Sequence, residues 1–135
     1  MINSIVEQTN IYIDEMPKNE RKKYGQFFTS KETALYMASL FSIPEDKEVL
    51  TVLDAGAGSG ILSCALMERL QNNSNIKKVE LTCYETDENI LGVLRRNLLY
   101  IKNNSTVTFE YKLITDNRRR RSNRGGADIA SPVPR

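Results

Sequence analysis

The stretch Val49-Leu50-Thr51-Val52-Leu53-Asp54-Ala55-Gly56-Ala57-Gly58-Ser59-Gly60-Ile61 decides the fold. Val49 to Leu53 is a short apolar run with β-branched residues, bounded by polar residues and glycine, and reads as a buried strand. Gly56, Gly58 and Gly60 make the turn that follows. Ile61 to Leu70 then reads as a helix with Ile61, Leu62, Ala65 and Leu66 inward. A strand-to-helix turn needs glycine for two reasons. The chain reverses sharply, and a ligand can approach the backbone without meeting a Cβ. The helix behind the turn offers that ligand unpaired N–H groups.

Working outward towards the C-terminus, Gln71 to Lys78 is a polar loop and Val79 to Tyr84 a second strand. Asp87 can cap a helix running to about Tyr100, with Ile90, Leu91, Leu94 and Leu98 on its inner face. Thr106 to Thr115, with Val, Phe, Tyr, Leu and Ile, is a third strand. Strand, helix, strand, helix, strand implies an α/β fold with a parallel sheet and right-handed crossovers. Towards the N-terminus, residues 2–16 carry Ile2, Ile5, Val6, Tyr12 and Ile13 near helical spacing. Pro17 to Tyr24 reads as a polar, basic connector. Thr29 and Glu32 form a capping box for a helix from about Ser30 to Phe41, with Ala34, Met37, Ala38 and Phe41 as its apolar stripe. Pro44 to Lys47 ends it.

The spacing of the turn narrows the ligand. A dinucleotide fingerprint is G-x-G-x-x-G, whereas here the third glycine comes one residue early, giving G-x-G-x-G. The G-K-[ST] of a phosphate-binding loop is absent. Asp54 at the strand end suits an ammonium-bearing ligand and would repel a pyrophosphate. The acid-plus-three-glycine form, Asp54-Ala55-Gly56-Ala57-Gly58-Ser59-Gly60, resembles the first motif of S-adenosylmethionine (SAM)-dependent methyltransferases. The resemblance implies a Rossmann-like class I SAM-dependent methyltransferase fold, here with a partial parallel sheet, and SAM as cofactor. Glu85, 31 residues after Asp54 and just past the second strand, can accept both ribose hydroxyls of a nucleoside at the usual ligand edge of an open sheet. Asp87 could do the same but is read as the helix cap. Asp116 ends the third strand, where an acid can accept from the adenine amino group or simply be a polar strand end.

A second element precedes the turn. Tyr24-Gly25-Gln26-Phe27-Phe28-Thr29-Ser30 resembles the G-Q-[FY]-[FY]-T-P element of N6-adenine DNA methyltransferases of restriction–modification systems, among them type I modification subunits and fused restriction–methylation enzymes. Their gamma order puts this element first, then the glycine motif, then the acid. The 25 residues from Thr29 to Asp54 also fit. The resemblance covers about residues 20–117. It implies that Phe28 lines the cofactor pocket and that Thr29 hydrogen-bonds the SAM carboxylate. Phe27 and Phe28 can equally be ordinary core. Ser30 stands where proline is usual, and serine also starts helices well.

The family's Asn/Asp-Pro-Pro-Tyr/Phe motif, which holds a flipped-out adenine, is absent: the sequence has no Pro-Pro pair, and Ser131-Pro132-Val133-Pro134 is no substitute. The expectation is a truncated piece of a longer enzyme, without catalytic residues and inactive alone. The parent would transfer methyl from SAM to adenine N6 by direct in-line attack, driven by positioning. Its partners would be DNA and a specificity subunit, restriction subunit or fused nuclease. Two alternatives stay open: an RNA or protein N-methyltransferase, and a non-catalytic SAM-fold interaction module.

The 135 residues, 40 % hydrophobic and 27 % charged, describe one globular domain. With no long apolar run and no signal layout, a cytoplasmic protein without membrane association is expected. Without any histidine, His-containing zinc sites and His-based triads are excluded, and no metal is expected. Cys64 and Cys83 read as small buried hydrophobes. The net charge of +2 misleads, since residues 118–135 hold six arginines and one acid and the remainder carries −3. Four consecutive arginines can contact phosphates, but the tail reads as disordered or non-native. The organisation expected is an N-terminal helix and connector (1–24), an incomplete SAM-binding subdomain (25–117) and the basic tail (118–135).

Overall fold

A computed structural model describes residues 1–115 and the pair Ala127–Asp128. Three helices come first: α1 (Ile2–Asp14), α2 (Lys18–Phe27) and α3 (Lys31–Ser39). The alternating part follows as β1 (Val49–Asp54), α4 (Ile61–Asn73), β2 (Lys78–Tyr84), α5 (Glu88–Asn104) and β3 (Thr108–Ile114), with β4 (Ala127–Asp128) last. β1, β2 and β3 pair in parallel in that order, and the two residues of β4 run antiparallel to the end of β3. Beyond β4, the expectation for residues 118–135 lies outside the described residues.

The strand order explains which faces are buried. When three parallel strands follow one another in one direction with right-handed crossovers, both crossover helices fall on the same face. On that face Val79, Leu81, Cys83, Phe109, Tyr111 and Leu113 are buried beneath α4 and α5, and α1 and α3 pack in turn against α4. The opposite face carries Val49, Thr51, Leu53, Glu80, Tyr84, Thr108 and Lys112, all exposed. Glu80 and Glu110 stand directly opposite one another there, a like-charge pairing that would destabilise the sheet. Lys78 lies 3.3 Å from each carboxylate and answers both.

Four expectations need correcting. β1 is not buried: it is the edge strand of the described sheet, and Leu53 is 65 % exposed. Its apolar run looks like a strand covered on both faces, but only Leu50 and Val52 turn inward, and even these are half-buried. Residues 17–24 are no connector. Pro17 sits at the N-cap of α2 with φ −56°, and the Lys, Glu and Arg that follow are good helix formers. α2 shows little apolar periodicity, so a search for a stripe misses it. The cap of α3 is Ser30 rather than Thr29: the Ser30 hydroxyl accepts from the Thr33 amide at 3.2 Å. On α3 only Ala34 and Ala38 of the four stripe residues are buried, while Met37 and Phe41 are exposed.

The other elements follow the sequence. Ile90, Leu91, Leu94 and Leu98 of α5 are all buried. Cys64 and Cys83 are free and buried. Among the described residues no helix is long and apolar enough to cross a membrane.

This burial pattern sets two substitutions apart. Leu94→Ala, at a fully buried site, should cost about 2–5 kcal/mol in denaturant unfolding. Leu53→Asn should stay within about 0.5 kcal/mol of the wild type.

Candidate cofactor site

The site is built at the carboxyl end of β1. The turn after Asp54 passes through two left-handed residues, Gly58 at φ +59° and Gly60 at φ +85°, the latter at the N-cap of α4. The conformation of Gly60 favours glycine, and a Cβ there would also lie 3.2 Å from a Leu94 methyl of α5, a tight contact. Backbone bonds tie the turn to the sheet, with the Ala57 amide donating to the Tyr84 carbonyl at 3.0 Å.

Glu85 sits behind the turn, 9 % exposed. One carboxylate oxygen accepts from the Gly58 amide at 2.9 Å and the other from the Asp87 amide at 3.1 Å. Each oxygen keeps a further lone pair. Asp87 is the cap of α5: Oδ1 accepts from the Asn89 amide at 2.9 Å, and Oδ2 accepts from the Tyr24 hydroxyl at 2.9 Å.

Tyr24 reaches this acid from α2, buried to 3 %. Its ring packs against Phe27 and Phe28, both with centroids 6.4 Å away. The aromatic group folds the Phe27-Phe28-Thr29 segment back over the glycine turn. Phe27, Phe28 and Thr29 form one wall of a crevice whose other wall is Asp54, Gly56 and Gly58. The Phe28 ring is the nearest group to Gly58, 3.8 Å from where a Cβ would stand. The crevice measures about 100 Å³, and a cavity of about 600 Å³ adjoins it, sharing Phe28, Thr29, Ser59 and Ile61. Pockets for drug-sized ligands measure some 300–1,000 Å³.

The structure thus brings together Phe28, Thr29, Asp54, Gly56 and Gly58, and sets Glu85 directly behind them. Gly60 lies beneath the crevice against α5. Ala55 is exposed at the strand end and does not line it. Asp116 lies outside the described residues. Tyr24, the hinge between the aromatic segment and the acids, was missed as a site residue. Its only signal in the sequence is its place directly before Gly25.

Burial raises the Asp54 carboxyl above its ordinary value, a hydrogen bond from the Gly56 backbone opposes this, and the Glu85 charge adds to the rise. Burial likewise pushes the Cys64 and Cys83 thiols up to about 12. Neither sulfur is a nucleophile near neutral pH.

The comparisons with known proteins bear on this geometry. No family model matches the chain. The chain is 37 % identical over 110 residues to the type II methyltransferase M.BsuBI of Bacillus subtilis, covering 78 % of this chain and 21 % of that protein. It is 37 % identical over 99 residues to the type II methyltransferase M.PstI of Providencia stuartii, covering 70 % of this chain and 18 % of that protein. Most of this chain is similar to a part of two type II methyltransferases. It spans about a fifth of the length of the curated relatives it matches.

Two measurements follow from the buried groups. In the folded state Asp54 holds its proton above pH 3.8, whereas the unfolded chain releases it near that value. Stability therefore falls as pH rises through the interval between the two values. Asp54→Asn should melt higher than wild type at pH 7, with the gain shrinking towards pH 4. The thiols give a second readout: a disulfide reagent at pH 8 should label neither cysteine in the folded chain and both in denaturant.

Proposed function

We propose that this chain is the cofactor-binding part of a SAM-dependent DNA methyltransferase acting on adenine N6. The observation that carries the reading is the seating of Phe27-Phe28-Thr29 against Asp54, Gly56 and Gly58. Two motifs 25 residues apart in sequence, each resembling a methyltransferase element, meet in one crevice. The similarity to methyltransferases supports it, and the names of those relatives favour a type II enzyme over a type I subunit or fused enzyme.

The residues fit the cofactor chemically. SAM would supply an activated methyl group. Asp54, at the strand end, would answer its ammonium, and that cation would in turn relieve the penalty on the buried carboxylate. Glu85 would take ribose hydroxyls through the lone pairs that the Gly58 and Asp87 amides leave free. Phe28 would cover the ligand and Thr29 would donate to its carboxylate. Gly56, Gly58 and Gly60 would let the ligand approach the backbone. Asp116 is proposed for the adenine amino group. The chain's own share of the work is to bind, orient and exclude water. Methyl transfer, DNA recognition and any nuclease or specificity partner are proposed for the whole protein, and this chain alone is expected to transfer nothing.

The test is thermal denaturation with S-adenosylhomocysteine, with NADH as the control. At a hundredfold excess over Kd the melting temperature should rise by roughly 10 °C with the first. It should not move with the second, whose pyrophosphate meets Asp54. Asp54→Ala should abolish the rise. A shift with both ligands, or with neither, would overturn the assignment.

A further inference from the structure

Asn97 is an amide sealed inside α5, 1 % exposed. A buried amide without partners is costly, and this one spends its nitrogen on two segments far away in sequence. Nδ2 donates to the Ser59 carbonyl at 2.8 Å and to Thr9 Oγ1 at 3.3 Å. The Thr9 hydroxyl donates in turn to the Ile5 carbonyl at 2.7 Å, inside α1. The directions admit one arrangement only. The Ser59 carbonyl can only accept and the Thr9 proton is used on Ile5, so the amide must present its nitrogen to both.

We propose that Asn97 is a positioning residue for the glycine turn, and that Thr9 of α1 holds Asn97 in place. The inference rests on the reading that the crevice binds an adenosyl cofactor. The described chain has no cis peptide bond, and in a trans peptide the carbonyl and the following N–H point in opposite directions. Drawing the Ser59 oxygen towards α5 turns the Gly60 N–H away, to where it donates to the Ala57 carbonyl at 2.9 Å. The same peptide plane leads into Gly60 at φ +85°. Two residues earlier Glu85 holds the Gly58 amide. The turn is therefore gripped from α5 at one end and from the acidic loop at the other. A ligand meeting a turn already in its bound shape has no ordering cost to meet there. Without Asn97 the Ser59–Gly60 peptide keeps only the Gly60–Ala57 bond, and the cost of ordering it moves into the ligand's dissociation constant.

Two near-isosteric variants of the full chain, Asn97→Leu and Thr9→Val, test this with two readouts. The first readout, amide hydrogen exchange without ligand, should show Gly58, Ser59 and Gly60 exchanging roughly tenfold faster in Asn97→Leu, with the amides of β2 and β3 unchanged. The second, calorimetric titration with S-adenosylhomocysteine, should show affinity lowered roughly tenfold by Asn97→Leu and less by Thr9→Val. Leu70→Ala, a cavity in α4 away from the turn, should lower the melting temperature without moving the affinity. The proposal is overturned if exchange at the turn is unchanged, or if Leu70→Ala weakens binding as much as Asn97→Leu does. A wild-type chain that binds no S-adenosylhomocysteine would sink the cofactor reading alone, because the exchange experiment still decides whether Asn97 sets the turn.

Discussion

At residue 60 the backbone runs at φ +85°, with a Leu94 methyl 3.2 Å from the place where a β-carbon would be. That close approach of α5 to the start of α4 organises the rest of the molecule. It lets α4 begin directly behind β1, with the Gly60 carbonyl accepting from the Cys64 amide at 3.0 Å. It also lets Leu94 and Leu98 of α5 lie against the turn while the same helix packs on β3. A side chain at 60 would be strained by the positive φ and would press on the Leu94 methyl. The turn thus serves packing and recognition with the same residues, so glycine there is doubly constrained.

The parts of this arrangement that were legible in the sequence are those with a local signal. The glycine turn, the β1–α4–β2–α5–β3 order, the Asp87 cap and the inner face of α5 each depend on neighbours three or four residues apart. What stayed hidden depends on partners far away. α2 was invisible because its helix is nearly all polar, and its buried anchor, Tyr24, finds its partner in Asp87, 63 residues on. β1 was misjudged because an apolar run reports only that a strand can be covered, and strand order decides whether it is. The two site motifs were legible separately. That Phe28 would lie 3.8 Å from the Gly58 Cβ position, closing the crevice, depends on how Tyr24, Phe27 and Phe28 stack.

The one-sided sheet follows from topology rather than composition. Three strands laid down in one direction place both crossover helices together, so the second face receives no helix from this part of the chain. Parallel sheets are ordinarily covered on both faces. Here the bare face mixes Val49 and Leu53 with the Lys78–Glu80–Glu110 cluster, whose charges sit in water at little cost. Self-association through that face is discouraged by the same charges, which would have to be desolvated.

The electrostatics at the turn run against stability. Asp54 is held partly out of water beside a second carboxylate, Glu85, and the described structure answers them mainly with backbone N–H groups from Gly56, Gly58 and Asp87. Amide dipoles can hold a carboxylate but do not cancel its charge, so the pair stays a concentrated negative site under an aromatic cover. Burial raises the Asp54 carboxyl, so an uncharged residue at position 54 would avoid the cost of burying that charge. In the function proposed above, the ammonium of the cofactor would offset that cost, because the field that penalises the buried Asp54 carboxylate attracts a cation. The Asn97 amide donating to the Ser59 carbonyl, and the Gly58 amide donating to Glu85, hold the turn that carries these groups in one orientation.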